Sequence, residues 1–273
     1  MNVVETIARE RAAAVRSLKA ARPEAELRRA ASAPRPAFGK AFGKAPVPGF
    51  LLIAECKRAS PSRGLLVSDY DPRRLALSYE AGGAGLISVL TEPRHFLGRN
   101  EHLVAVREAV ALPVLRKDFI VDPWQIGEAW ALGADAILLI ASLHDAGALR
   151  ELTALAHARS LSVLLEIHDE GELERAAEAG ADAIGVNARD LRDFSVDGSR
   201  ARALGAAIDT RNFKVAESGM KTPADAVALF RAGFRGFLVG EALATAADPA
   251  AATQSFASAL GRAAVTPRAE LAR

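Results

Sequence analysis

The feature that most constrains this chain is a pattern that returns four times. A small residue, a glycine and an apolar run recur as AGGAGLISVL from Ala81, ALGADAILLI from Ala131, EAGADAIGVN from Glu178 and RAGFRGFLVG from Arg231. Their glycines, Gly83, Gly133, Gly180 and Gly233, are 50, 47 and 53 residues apart. Each follows a helical pattern and precedes a short apolar run, as a helix C-cap leading into a buried strand does. A period of about 50 residues is two strand-plus-helix units of about 25. The remaining strands are found midway, in Leu51–Lys57, Pro113–Phe119, Ser162–His168 and Phe213–Gly219. Strands apolar on both faces that alternate with helices such as Asp122–Leu132 and Asp169–Ala179 predict a parallel sheet. Eight even units predict closure into a barrel. A doubly wound open sheet is the rival, but no GxGxxG follows the first strand, which ends instead in polar residues.

The expected fold is α/β, a single (β/α)8 barrel with an N-terminal helical extension, and 273 residues suit one such domain. Residues 1–48 form the extension, with helices over Val3–Ala20 and Glu24–Ala31 and an irregular PAFGKAFGKAPVPGF connector, and cap one mouth of the barrel. The barrel spans 49–262, and the chain is expected to fray after Ser258, with 263–273 as a frayed tail. A net charge of +2 gives no reason to expect nucleic acid or an anionic membrane as partner, and the pI of 8.8 reflects only a small basic excess. The lone Cys56 excludes an internal disulfide and a cysteine-based zinc cluster. Met1–Lys19 carries charges throughout, so it reads as neither signal peptide nor membrane span, and a cytoplasmic protein is the expectation.

Barrel enzymes place their chemistry at the C-terminal ends of the strands. Here strand 1 ends in Glu55 and Lys57, which at a spacing of two share one face. Strand 3 ends in Arg116-Lys117-Asp118, strand 5 in Glu166 and His168, strand 6 in Asn187 and Arg189, and strand 7 in Glu217-Ser218-Gly219. Burying an unpaired charge costs several kcal/mol, so such groups must face one another or a ligand. His168 reads either as a catalytic group or as a helix-entry residue before Asp169. Lys214 opens strand 7 at the opposite rim and reads as structural. Cys56 alternates with the Glu55/Lys57 face and should point toward the helices. Ser218-Gly219 and Gly240-Glu241 close strands 7 and 8, where barrels often bind phosphate on backbone N–H groups. The long loop after strand 1, RASPSRGLLVSDY, adds Ser60, Ser62 and Arg63 as anion contacts before Asp71-Pro72 starts a helix.

Assembled in this way, IAECKRASPSRG, SVLTEPRHFLG, VLRKDFIVDPWQI, GADAILLIA, LLEIHDE, IGVNARDL, VAESGM and LVGEAL resemble the indole-3-glycerol phosphate synthases of tryptophan biosynthesis, up to about Leu260. The departures are Cys56 for a usual aliphatic residue, Ala188 for a second Asn and Ala244 for Met. The resemblance implies ring closure, decarboxylation and dehydration of 1-(2-carboxyphenylamino)-1-deoxyribulose 5-phosphate, with no metal or organic cofactor. It implies Lys117 as general acid, Lys57 as partner of the substrate carboxylate, and Glu55 as the group that positions Lys57. Glu166 stabilises charge at the nitrogen and moves protons, while Asn187 and Ser218 hold the ribulose hydroxyls. Phe96, Phe119, Leu138 and Leu191 form the aromatic pocket beside Arg189, and Ser60, Gly219, Gly240 and Glu241 grip the phosphate. Partners are then a phosphorylated small molecule and neither nucleic acid nor membrane; the state is a monomer or weak oligomer, with contacts to other tryptophan-pathway enzymes left open.

Three readings compete with this one. A phosphoribosylanthranilate isomerase would want a Cys/Asp acid–base pair, for which Cys56 has the wrong strand phase. A Schiff-base aldolase would use Lys117 as nucleophile. A phosphate sensor or scaffold would lack one or more of the polar strand-end groups, all of which are present.

Overall fold

The strands of the repeat are β1 (Leu51–Cys56), β2 (Leu86–Leu90), β3 (Val114–Lys117), β4 (Ala136–Ile140), β5 (Ser162–Ile167), β6 (Ala183–Asn187), β7 (Phe213–Glu217) and β8 (Gly236–Val239). They form a closed barrel in which every strand pair is parallel, β1 lying between β8 and β2. This computed structural model describes residues 3–30, 41–42, 49–190 and 195–265. All four glycines of the repeat have positive φ, between 71° and 98°, the left-handed conformation that ends a helix and turns the chain into the next strand.

Alternation along the strands divides the core in two. Leu51, Ile53, Leu86, Leu115, Leu164 and Val215 fill the lumen. Their neighbours Leu52, Ile87, Val114, Leu165 and Phe237 face the surrounding helices. Burial of each such side chain is worth about 1.5–3 kcal/mol, which is why both faces of every strand read as apolar. The helices of the ring are α3 (Pro72–Ala81), α4 (Asn100–Ala109), α5 (Trp124–Leu132), α6 (Ala146–His157), α7 (Leu173–Glu178), α8 (Gly198–Ala207), α9 (Pro223–Arg231), the short α10 (Glu241–Ala244) and α11 (Pro249–Val265). Asp71 caps α3 by accepting from Arg74 N at 3.0 Å, with Pro72 in the first turn, as the sequence signal requires. α5 begins two residues later than Asp122 because that carboxylate accepts from Trp124 N at 2.8 Å from outside the helix. The stretch from Asp169 opens with one 3-10 turn, Glu170–Glu172, before α7.

Ahead of the barrel, α1 spans Val3–Ala21 and α2 spans Glu24–Ala30. Val4 and Ile7 of α1 pack into the same apolar cluster as Phe119 and Leu138, so the start of this helix lies over the C-terminal mouth. Ala41 N donates to Ser162 Oγ at 2.9 Å, at the first residue of β5, and Phe42 is buried in the lumen cluster. The N-terminal segment therefore touches the barrel at both ends. The rest of the connector, 31–40 and 43–48, lies outside the described residues.

The C-terminus corrects an expectation. α11 does not fray after Ser258 or end at 262; it continues to Val265, because Leu260 and Ala263 are buried where it packs against α3 and α9. Residues 266–273 lie outside the described residues. Leu260→Ala should lower the unfolding free energy by about 2–5 kcal/mol in denaturant titrations, as for other fully buried leucines; a change within about 0.5 kcal/mol would mean that the end of α11 contributes no packing.

Candidate active site

The inward phase of β1, β3, β5, β6 and β7 ends in a polar group at one rim, Glu55, Lys117, Glu166, Asn187 and Glu217. Register pairs Glu55 with Ser88, Leu90 with Lys117, Ile140 with Glu166, Glu166 with Gly185, and Asn187 with Glu217. Lys117 Nζ lies 3.1 Å from Glu166 Oε2 and 2.6 Å from Glu217 Oε2. Burial disfavours the ammonium, but Glu166, Glu217 and Glu55 outweigh it and hold Lys117 well above the ordinary lysine range. The two carboxylates are not equivalent. Burial opposes the charge on Glu166 too, yet Lys117 and His168 overcome it and keep this group below the usual carboxylate range. Glu217 is pushed up to about 8 by burial and by its neighbour Glu166, against the pull of Lys117. Its Oε1 meets no hydrogen-bond donor among the described residues. Space for Glu217 comes from Gly185, where a Cβ would collide with its carboxylate.

Beside this cluster Lys57 Nζ contacts Glu55 Oε1 at 2.7 Å. A Cβ on Gly240 would run into both groups, so glycine is needed there for the close approach of the β8 end. Ser218 and Gly219 follow Glu217 with φ of 64° and 79°, a left-handed pair, strained at Ser218 and free at the glycine, that turns the backbone into the mouth. The loop after β1 folds as a small hairpin, Ala59–Ser60 against Gly64–Leu65, and brings Arg63 Nη1 to 3.5 Å from Glu241 Oε1. Asn187 Oδ1 accepts from Arg189 N at 3.0 Å.

The apolar side of the mouth is set by two further carboxylates. Glu92 is buried and accepts from the backbone N–H groups of Arg94, His95 and Phe96 at 2.7–3.0 Å, fixing the turn that carries Phe96. Phe96 and Phe119 stand with ring centroids 6.3 Å apart. Asp118, next to Lys117 but on the other face, accepts from Arg11 Nε and Nη2, Thr91, Arg116 and its own neighbour Phe119 N at 2.7–3.1 Å. Those bonds tie α1 to the strand end that carries Lys117.

The inward-facing groups and the loops at this rim line a cavity of about 560 Å³. Of the fifteen site residues that the resemblance implies, fourteen line it: Glu55, Lys57, Ser60, Phe96, Lys117, Phe119, Leu138, Glu166, Asn187, Arg189, Ser218, Gly219, Gly240 and Glu241. Leu191 lies outside the described residues. The family model for indole-3-glycerol phosphate synthase matches residues 4–256. The chain belongs to that family. It is 48% identical over 233 residues to indole-3-glycerol phosphate synthase 2 of Streptomyces coelicolor, covering 85% of this chain and 89% of the relative. With the indole-3-glycerol phosphate synthase of Rhodococcus jostii it shares 44% identity over 259 residues, 95% of this chain and 96% of the relative. Among solved structures, a thiamine phosphate pyrophosphorylase from Pyrococcus furiosus superposes with a TM-score of 0.61 at 18% identity, over 79% of this chain and 96% of that one, a likeness of fold alone.

The three departures from the family pattern all fall outside the lumen's polar set. Cys56 points into the helical shell, its thiol 3.7 Å from Pro72 O and held well above the ordinary range by burial. Ala188 and Ala244 are buried as well. The residue that the expected set lacks is Glu217. Its signal was legible, since it occupies the same inward strand-end phase on β7 that Glu166 occupies on β5.

Glu217 leads to a prediction with a definite sign. Its ordinary pKa is 4.5 and its folded value about 8, so between these the native state holds a proton that the unfolded state has lost. Stability from this group therefore falls as pH rises from 4.5 to about 8. In Glu217→Gln that slope should vanish, and the variant's unfolding free energy relative to the original protein should climb across this window. Parallel denaturant curves for the two would remove the assignment.

Proposed function

We propose that the chain is a carboxy-lyase of tryptophan biosynthesis that converts 1-(2-carboxyphenylamino)-1-deoxyribulose 5-phosphate to indole-3-glycerol phosphate, CO2 and water. The observation that carries the reading is Lys117, a protonated ammonium at the centre of the mouth, 3.1 and 2.6 Å from two buried carboxylates. Ring closure requires the aromatic carbon to attack the ribulose ketone while a proton reaches the carbonyl oxygen. Lys117 supplies that proton. Lys57, oriented by Glu55, pairs with the substrate carboxylate until it leaves as CO2 and the ring regains aromaticity. Glu166 stabilises the positive charge at nitrogen and takes part in the proton transfers that end in loss of water. Glu217 shares Lys117 with Glu166 and adjusts its donor strength.

Binding divides along the same mouth. Phe96, Phe119 and Leu138, with Leu191, form the aromatic pocket beside Arg189, and Asn187 and Ser218 hold the ribulose hydroxyls. Ser60, Gly219, Gly240 and the backbone N–H of Glu241 take the phosphate, the anchor that turns a flexible chain into a near-attack geometry.

The isomerase reading is disfavoured because Cys56 faces the helical shell as a neutral thiol. A Schiff-base role is disfavoured because the carboxylates keep Lys117 charged and therefore non-nucleophilic. A cytoplasmic setting, and a monomer or weak oligomer that meets other enzymes of the pathway, belong to the proposal; among the described residues no helix is long and apolar enough to cross a membrane.

Purified protein incubated with the carboxyphenylamino substrate should release CO2 and generate indole fluorescence. Lys117→Ala should lower kcat by on the order of 10³-fold or more, a typical worth for a positioned acid together with its electrostatic role; undiminished turnover would defeat the assignment. Cys56→Ala should keep most of the activity, and a large kcat loss in a folded Cys56→Ala protein would revive the isomerase reading.

A further inference from the structure

The two carboxylates around Lys117 pose a question that the reaction alone does not answer: which one keeps the proton. Distance favours ionised Glu217, whose Oε2 is 2.6 Å from Lys117 Nζ against 3.1 Å for Glu166. A third group decides otherwise. His168 stands two residues beyond Glu166 and so returns to the lumen side of β5, and its Nε2 lies 3.2 Å from Glu166 Oε1, off the line of a straight hydrogen bond. Glu166 therefore has a cation at each oxygen, Lys117 and His168. Glu217 has Lys117 alone.

His168 is itself built to be a cation. Its backbone N donates to Glu172 Oε2 at 2.7 Å, which brings that buried carboxylate to 3.8 Å from Nδ1. Each ring nitrogen thus faces a carboxylate, and only the imidazolium offers an N–H to both. Burial works against the charge, but Glu166 and Glu172 prevail and push His168 up to about 10. The charged and titratable groups around the pair are Lys117 from β3, Glu217 from β7 and Glu172 from the turn after β5, with Glu55 of β1 acting on Lys117.

Resting on the functional reading above, we propose that His168 is a positioning residue which fixes the protonation order of the site, keeping Glu166 as the carboxylate and leaving the proton on Glu217. Glu166 then faces the substrate nitrogen already ionised, able to stabilise positive charge and accept a proton. Glu217 rests as a neutral acid behind Lys117.

The test reads protonation directly. In protein carrying 13C-labelled glutamate, Glu166 should stay at the ionised carboxyl shift between about pH 5 and 9 while Glu217 titrates near 8. The His168 imidazole, followed by 15N NMR, should remain doubly protonated through pH 8. In His168→Gln the Glu166 signal should begin to titrate together with Glu217, and kcat should fall about tenfold with KM within about twofold. Glu172→Gln, which keeps an acceptor for His168 N, should lower the imidazole pKa by one unit or more, as loss of a nearby opposite charge does. A neutral His168 at pH 8 in the unsubstituted protein, or a Glu166 that stays ionised in His168→Gln, overturns the proposal. The spectra are recorded without substrate, so absent turnover with these titrations intact would sink the functional reading and leave the protonation order standing.

Discussion

An ammonium inside a barrel of aliphatic side chains is unstable unless its surroundings answer its charge, and the C-terminal rim is organised around that requirement. Lys117 is held by Glu166 and Glu217, and its neighbour Lys57 by Glu55. With His168 charged and Glu217 neutral, the buried set answers three cations, Lys57, Lys117 and His168, with three carboxylates, Glu55, Glu166 and Glu172. Because the groups are already desolvated and fixed, little reorganisation is needed when charge moves during the reaction. Removing Lys117 or Lys57 leaves a carboxylate buried and unanswered, which ties activity and stability together at this rim.

The same strand end carries a second ionic system on its other face. Arg116, fully buried, donates to Thr91, Gln125 O, Asn100, Asp118 and Glu128, while Asp118 also takes Arg11 of α1. Buried ion pairs of this kind seldom add much net stability over a hydrophobic substitute, since desolvation offsets the attraction. What they supply here is geometry. Arg116 and Asp118 bracket Lys117 in sequence and lock its backbone from outside, and Arg11 fixes the helix whose Val4 and Ile7 close the apolar side of the mouth.

The barrel was legible because its signal is periodic. Glycines about 50 residues apart and strands apolar on both faces admit few other folds, and alternation then decides which residues face inward. It placed Lys117 in the lumen and Cys56 outside it. Periodicity says less about who meets whom across the lumen. Glu166 and Glu217 stand at equivalent strand ends, yet nothing local tells that both reach one ammonium, 49 and 100 residues away in the chain. That contact depends on barrel closure and on Gly185, whose missing side chain makes room. The end of α11 was misread for a similar reason: Ala-rich sequence past Ser258 looks dispensable until α3 and α9 are seen to bury Leu260.

Residue type alone would not have separated function from scaffold, as the two lysines Lys117 and Lys214 show. Both are on barrel strands and both are largely shielded from solvent. Lys214 is the second residue of β7, on the outward phase at the opposite rim, and donates to Gly205 O at 2.7 Å near the C-terminal end of α8. There its charge meets helix carbonyls, whose partial negative charge suits a cation, with Asp209 as a nearby carboxylate that acts on it. Burial lowers its proton affinity, where for Lys117 the surrounding glutamates raise it. A shift of one residue along a strand changes the face, and one strand length changes the rim. Those two coordinates, set by hydrophobic alternation long before any ligand arrives, decide whether a lysine meets helix carbonyls or a cluster of carboxylates.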